Sequence, residues 1–154
     1  MSATVPTTPA ASNAAIARVL RDAATLIRRD GWHQDTGTCQ PYDGYTALDA
    51  AEDAAYRRWN RDHCPPGVIR AYSGDRDDFK TACLHAFAGW LVLTGQADPC
   101  WCEWSPRGLI AGWNDEAGRT AAQVVAALNQ AADVLDVYAA LGQLETAAEL
   151  EASR

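Results

Sequence analysis

The C-terminal third of the chain carries a long apolar periodicity, which narrows the possible folds more than any other segment does. Apolar residues recur there at steps of three or four, namely Val124, Leu128, Ala131, Leu135, Tyr138 and Leu141. This spacing places them along one side of an α-helix, so we predict a helix from residue 121 to at least residue 140. The repeat continues through Leu144 and Ala148. Gly142 lies inside it and costs about 1 kcal/mol relative to alanine, so the helix either stops there or bends.

A second amphipathic helix is predicted over residues 13–30. Apolar residues occupy one side of this segment, and arginines interleaved with acids occupy the other. Ser12 or Asn13 can cap its first turn, and Gly31 follows its last turn, where glycine commonly ends a helix. Residues 31–45 are rich in Gly, Pro and Asp and are expected to form a loop.

Two more helices and a short helical turn are expected between these ends. Thr46, followed three residues later by Asp49, forms a capping-box pattern that opens a helix through about His63. Residues 77–94 are the most apolar segment, and we expect them to form a helix at the centre of the core. Residues 109–114 have the pattern of a short helical turn.

The fold class predicted from these segments is all-α: a single small helical domain of four to five helices with a long C-terminal helix. Residues 68–72, VIRAY, resemble a short strand, but no second segment offers it a partner for its backbone hydrogen bonds. We expect residues 1–11 to be a disordered N-terminal arm, residues 12–141 the helical domain, and residues 142–154 an acidic C-terminal helical tail.

The charge of the chain argues against nucleic acid as a partner. Its net charge is −7, and Lys80 is the single lysine, whereas binding to phosphates requires clustered Lys and Arg. No run of about 18 apolar residues indicates a membrane span, and the N-terminus lacks the pattern of a secretory signal. The expected location is therefore the cytoplasm, without membrane attachment.

Five cysteines and three histidines supply eight candidate metal ligands. Ligands in structural zinc sites are usually paired two to four residues apart, whereas the pairs here are adjacent or one residue apart. Cys100 and Cys102, in an irregular loop, are the pair best placed to hold a common ion. The odd number of cysteines indicates free thiols in a reducing compartment. We expect neither a resident metal nor another cofactor.

The segment GWNDEAGRTAAQVVAAL, residues 112–128, is either a catalytic loop or a structural corner. Thr120 and Gln123 form a second capping box, which gives the hydroxyl a structural role. Arg119 is expected to pair with Asp115 across the turn. The histidine nearest to this segment in the sequence is His85, so no histidine that could act as a general base lies close to it in the chain. These points favour a structural motif and no catalytic residue. The motif comprises Trp113, Asn114, Asp115, Arg119 and Thr120.

The same segment carries a family resemblance. IAGWNDEAGRTAAQVVAAL resembles the C-terminal signature of an uncharacterised family of small actinobacterial and actinophage proteins, a domain of unknown function in which W-N-D and then R-T precede a helix. VLRDAATLIRRDGWHQ resembles the opening helix of that family, and ACLHAFAGW resembles its central helix. The chain departs from the pattern by a long insert between Trp32 and Asp77 and by a tail after about Asp133. The resemblance implies a helical fold and an actinobacterial or phage genome, and it brings no activity with it.

The function expected from the sequence is non-catalytic protein binding in the cytoplasm. Trp101 and Trp104 lie in the loop CWCEWSP, and partly exposed tryptophans often anchor protein interfaces. The candidate surfaces are the 98–107 loop and the acidic C-terminal helix, and homo-oligomerisation through the helix after Asp133 is a further alternative. The rival hypothesis is a metal-dependent or thiol enzyme that uses Cys100 and Cys102 with a histidine.

Overall fold

The computed structural model describes residues 11–35, 44–63, 74–99 and 105–153. Five α-helices lie in these ranges: α1 Asn13–Asp30, α2 Ala47–His63, α3 Gly74–Leu93, α4 Pro106–Asn114 and α5 Ala121–Ala152. No strand forms within the described ranges, and the extended pairing there is an isolated bridge between Trp32 and Tyr45. The prediction of an all-α fold with a long C-terminal helix is confirmed. Residues 68–72, which resemble a strand in sequence, lie outside the described residues.

Local capping chemistry sets most helix ends where the sequence predicts them. The Ser12 hydroxyl accepts a hydrogen bond from the Ala15 N–H at 3.1 Å, and Gly31 ends α1 with φ 95°. The Thr46 hydroxyl accepts from the Asp49 N–H at 3.1 Å at the start of α2. These bonds satisfy backbone donors that a helix start otherwise leaves unpaired.

Helix α4 is longer than the sequence pattern indicates, and α5 has the longer of the two lengths that the pattern allows. The predicted turn at residues 109–114 is part of a nine-residue helix, because Ser105 caps it and Pro106 occupies its first turn, where proline is well tolerated. Helix α5 continues through Gly142 to Ala152 without a break. An apolar helix interior thus tolerates this single glycine.

The core is formed around α1, which packs along α5 and also contacts α2 and α3. Eight of the 18 residues of α1 are buried, including Val19 and Leu20. Helix α3 contributes Phe87 and Leu91, and α4 contributes Ile110, all fully buried. The central position expected for α3 is therefore shared with α1.

Helix α2 packs through small side chains. Its buried residues are all alanines: Ala47, Ala50, Ala51, Ala54 and Ala55. Because alanine has no atom beyond Cβ, the α2 backbone can approach its neighbours closely, and the loop before α2 is drawn close to the end of α4.

Among the described residues, α5 is the one helix with the length and apolar character needed to cross a membrane. Only 33% of its most apolar 18-residue stretch is buried in the protein. Core helices of soluble proteins pass the same criteria, so this observation is weak evidence for a membrane span.

Candidate functional site

The buried side chain of Asn114, the last residue of α4, joins three segments of the chain. Its Oδ1 accepts hydrogen bonds from the indole N–H of Trp32 at 2.7 Å and from the backbone N–H of Ala47 at 2.9 Å. Its Nδ2 donates to the carbonyl of His33 at 3.2 Å and to the carboxylate of Asp115 at 2.8 Å. An asparagine amide has two acceptor positions and two donor hydrogens, so all four are used. We call residues 112–120, with the segments they bind at 31–35 and 44–47, the corner.

Neighbouring polar groups hold the segment after α1 against the end of α4. The Asp115 carboxylate accepts from the backbone N–H of Asp35 at 2.9 Å. The Gln34 amide donates to the carbonyls of Asn114 at 3.1 Å and Glu116 at 2.8 Å. The polar groups of the corner therefore bond mainly to the protein's own backbone.

Gly44 permits the close approach of two backbones in the corner. Tyr45 N–H donates to the carbonyl of Gly31 at 2.9 Å, and His33 N–H donates to the carbonyl of Tyr45 at 3.1 Å. A Cβ atom at Gly44 would lie 2.7 Å from the Gly31 carbonyl oxygen, and the φ of 142° is one that side chains rarely adopt. Only glycine fits there without displacing a neighbour.

Trp113 anchors the corner in the core, and Arg119 covers the Trp113 ring. Trp113 is buried and meets Phe87 edge-on, with ring centroids 5.8 Å apart. The Arg119 guanidinium lies 4.4 Å from the Trp113 ring centroid and donates to the Trp113 carbonyl at 2.9 Å. This arrangement combines a cation–π contact with a hydrogen bond to the same residue.

The expected pairing of Arg119 with Asp115 is wrong. Arg119 forms its ion pair with Glu116, and the Asp115 carboxylate accepts from Asn114 and Asp35 instead. Gly118, with φ 84°, turns the chain just before Arg119. Thr120 then caps α5 in a full capping box, with bonds of 3.2 and 3.0 Å shared with Gln123.

A groove adjoins the corner between the end of α1 and the start of α5. Its volume is about 500 Å³, and its lining is largely apolar: Ile27, Arg28, Gly31, Trp32, Ala121, Ala122, Val125 and Ala126. Arg28 is the one ionisable side chain in this lining. No acid or nucleophile faces it there, so the groove has the character of a contact surface.

The chemistry available to the described residues is limited. Within the described ranges, no group of three His, Cys, Asp or Glu side chains is arranged to hold a metal ion. Burial raises the pKa of the Cys83 thiol to about 12, which makes it a poor nucleophile at neutral pH. Cys100 and Cys102, the metal candidates, and Trp101 and Trp104, the interface candidates, lie outside the described residues.

The second half of α5 presents an uncovered apolar surface. We call it the α5 face, formed by Val134, Val137, Tyr138, Leu141 and Leu144, whose exposed fractions are between 41% and 67%. Leu150 is also exposed, near the helix end. Asp133 and Asp136 pair with Arg21 of α1 at 2.7 and 2.6 Å. Beyond these ion pairs, every residue from 141 to 153 is exposed.

The α5 face is not a direct extension of the buried side of the helix. At 100° per residue, it is centred about 130° around the helix axis from the buried set that includes Val124 and Leu128. Leu135 continues the buried side and is packed against the core, whereas Tyr138 and Leu141 are exposed. The sequence pattern places Leu135, Tyr138 and Leu141 on one apolar side of the helix. In the structure, Leu135 belongs to the buried side, and Tyr138 and Leu141 belong to the exposed α5 face.

Fold and corner together define a small all-α domain whose polar corner ties the end of α4 to the starts of α2 and α5. The chain belongs to DUF6197, a family of unknown function, which matches residues 11–134. A comparison with curated proteins gave no match, and neither did a comparison with solved structures. The family match includes the corner and ends at Val134, the first residue of the α5 face.

Proposed function

We propose that this protein is a non-catalytic, cytosolic protein-binding protein that binds through the α5 face. The observation that carries the proposal is the exposure of five large apolar side chains on one stretch of one helix. The largest contiguous apolar patch on a soluble monomer, typically about 300–600 Å², is often an interaction site. Full burial of each aliphatic side chain would contribute about 1.5–3 kcal/mol.

The α5 face is held in place before any partner binds. The first half of α5 is anchored by the buried Val124, Leu128 and Ala131, and Arg21 fixes the middle of the helix through Asp133 and Asp136. A partner therefore meets a formed helix and does not have to order it. Such preorganisation lowers the entropic cost of association.

The surroundings of the α5 face favour a protein partner over a nucleic acid. Glu145, Glu149 and Glu151 lie on the same stretch of helix, which has no basic residue between Thr120 and Ser153. These acids repel phosphate groups. An apolar face with acidic neighbours is suited to an amphipathic helix of another protein.

The cellular setting is part of the same proposal. The resemblance of residues 110–128 to an actinobacterial and actinophage signature supports an origin in an actinobacterium or one of its phages. The neighbouring genes test this, because a phage early region or a host operon would be evident from them. A genome of another bacterial phylum would contradict it.

A cross-linked capture experiment in a lysate of the source cell tests binding. We expect the full chain to retain proteins that a Leu141→Gln, Leu144→Gln variant does not retain. A control pair on the opposite side of the helix, Gln143→Ala with Thr146→Gln, should capture as the native chain does. Equal capture by all three proteins would contradict binding through the α5 face.

Metal analysis of the purified full chain tests the non-catalytic part of the proposal. We expect zinc well below one equivalent per chain. Stoichiometric zinc that is lost on changing Cys100 and Cys102 to serine would favour the metal-enzyme hypothesis instead.

A further inference from the structure

We propose that the occupant of the α5 face is the same face of a second copy of this chain, paired with it as an antiparallel two-helix coiled coil. This inference rests on the proposed function, because it names the partner of that surface. Three observations carry it: the spacing of the apolar residues, the area they leave uncovered, and the positions of the nearby charges.

The spacing of the face matches the seam of a two-stranded coiled coil. Val134, Val137, Leu141, Leu144 and Ala148 follow one another at steps of three, four, three and four residues. This alternation defines the a and d positions of a heptad repeat, and each apolar side chain then needs a matching hole on the facing helix. A second copy supplies that repeat with the same length and period, and a two-fold axis makes the contact self-complementary.

The uncovered area is sufficient for a modest dimer. The five side chains leave on the order of 500 Å² of apolar surface exposed on each copy, so pairing covers about 1,000 Å² before alanines and charged side-chain stems are counted. Stable interfaces bury about 1,200–2,000 Å² in total. The pair therefore lies just below that range, where weak and transient complexes are found, and we expect a dissociation constant of about 1–100 μM.

The charges allow self-pairing and favour the antiparallel direction. Asp133 and Asp136 both pair with Arg21 of the same chain, which offsets one of their two negative charges. With Leu141 of one copy facing Leu144 of the other, Tyr138 of one copy lies beside Glu145 of the other, so its hydroxyl can donate to that carboxylate. A parallel pair would instead place the two Glu151 carboxylates together at a seam position, where like charges repel.

The position of the rest of the fold favours the same direction. The buried residues of α5 all lie between Val124 and Ala132, so the rest of the fold packs against the first half of this helix. An antiparallel pair places the two helical bodies at opposite ends of the coiled coil, whereas a parallel pair would bring both to one end. The antiparallel pair therefore covers the face without crowding.

Sedimentation equilibrium of the intact chain from about 1 to about 500 μM tests the dimer. The weight-average mass is expected to rise from one chain towards two. The Leu141→Gln, Leu144→Gln variant should stay at the mass of one chain throughout, with an unchanged circular dichroism spectrum because both residues lie outside the core. The Gln143→Ala, Thr146→Gln control should associate as the native chain does.

A photo-crosslinking benzoylphenylalanine in place of Tyr138 tests the direction. We expect cross-linked peptides that contain the Glu145 region of the other copy. Cross-links confined to the Tyr138 region of the other copy would overturn the antiparallel arrangement.

A native chain that remains monomeric at every concentration would overturn the dimer. The proposed function would still stand if capture of another protein depended on Leu141 and Leu144. A monomer that captures nothing but binds neutral phosphatidylcholine vesicles through the α5 face would overturn both.

Discussion

The corner and the α5 face both depart from the usual pattern of buried apolar and exposed polar groups. The corner buries a polar side chain, and the α5 face exposes apolar ones. Asn114 is polar and has no exposed surface, whereas Leu144 is apolar and 67% exposed. All four hydrogen-bonding positions of the Asn114 amide are occupied by the chain itself. The Leu144 side chain gains nothing comparable from its own chain, since its surroundings leave it in solvent. The contacts of the chain itself thus explain the buried polar group, whereas contacts among the described residues do not explain the exposed apolar group.

The largest expected effect comes from removing the centre of the corner. Asn114→Ala leaves the Trp32 indole N–H, the Ala47 N–H and the His33 carbonyl without this partner, at about 1–3 kcal/mol for each group that stays buried and unpaired. We expect the free energy of unfolding to fall by about 3–5 kcal/mol, measured by chemical denaturation.

A matched control for this change is Asn129→Ala on α5, whose side chain is half-buried. Alanine has the better helix propensity, so this variant should be neutral or slightly stabilising. A loss below about 1 kcal/mol for Asn114→Ala would show that the corner is not a stabilising centre.

A smaller effect is expected at the junction between the corner and α5. Thr120→Ala removes one half of the capping box with Gln123 and should cost about 1 kcal/mol. Thr120→Ser retains the hydroxyl and should recover most of that loss in the same denaturation experiment. Equal losses in the two variants would assign the effect to packing and not to the cap.

A pH effect below about 1 kcal/mol is expected at the edge of the corner. Burial raises the pKa of Asp53, but hydrogen bonds from Arg57 and Tyr45 outweigh it and hold this pKa below its ordinary value. Because the folded pKa is lower than the unfolded value of about 3.9, the stabilisation is complete above that pH and is lost as the pH falls through the folded pKa. Asp30 has a pKa lowered by its hydrogen bond with Arg29, in the same direction.

Stability measured from pH 7 to pH 2 tests this linkage. Asp53→Asn should reduce the slope below about pH 4. The test depends on the slope alone, because the substitution also changes the absolute stability. An unchanged slope in the variant would exclude Asp53 as a contributor.

The smallest stability effect should come from removing most of the α5 face. A chain that ends at Asp136 retains the buried half of α5 and both ion pairs with Arg21. At concentrations where the native chain is monomeric, we expect its free energy of unfolding to change by less than about 0.5 kcal/mol. A large loss would show that the terminal residues stabilise the body, which would weaken the contrast with the corner.

The fold was largely predictable because its signals are local. Ser12, Gly31 and Thr120 act on backbone groups within four residues of themselves, and short-range periodicity is enough to recognise each helix. The length of α4 was underestimated because two glycines lower its helix propensity, while the Ser105 cap and the burial of Ile110 and Trp113 compensate.

The contacts of the corner were not predictable in the same way. The W-N-D motif identified Asn114 as part of a turn, but its partners Trp32 and Ala47 are 82 and 67 residues away in the chain. Arg119 had two acids within reach, and the choice of Glu116 depended on Asp115 being bound to Asp35. The packed backbone determines these hydrogen-bond and ion-pair partners, and no pattern of neighbouring residues in the sequence indicates them.

The residues alone indicated most of the helix ends and the all-α class, since caps and 3.6-residue periodicity act within one or two turns. The tertiary structure alone decided which apolar side of α5 is covered. Periodicity shows that a helix has an apolar side, but only the arrangement of the other helices determines whether that side meets the core. Helices α1 and α3 pack against the first half of α5. The residues Val134, Val137, Tyr138, Leu141 and Leu144 remain exposed.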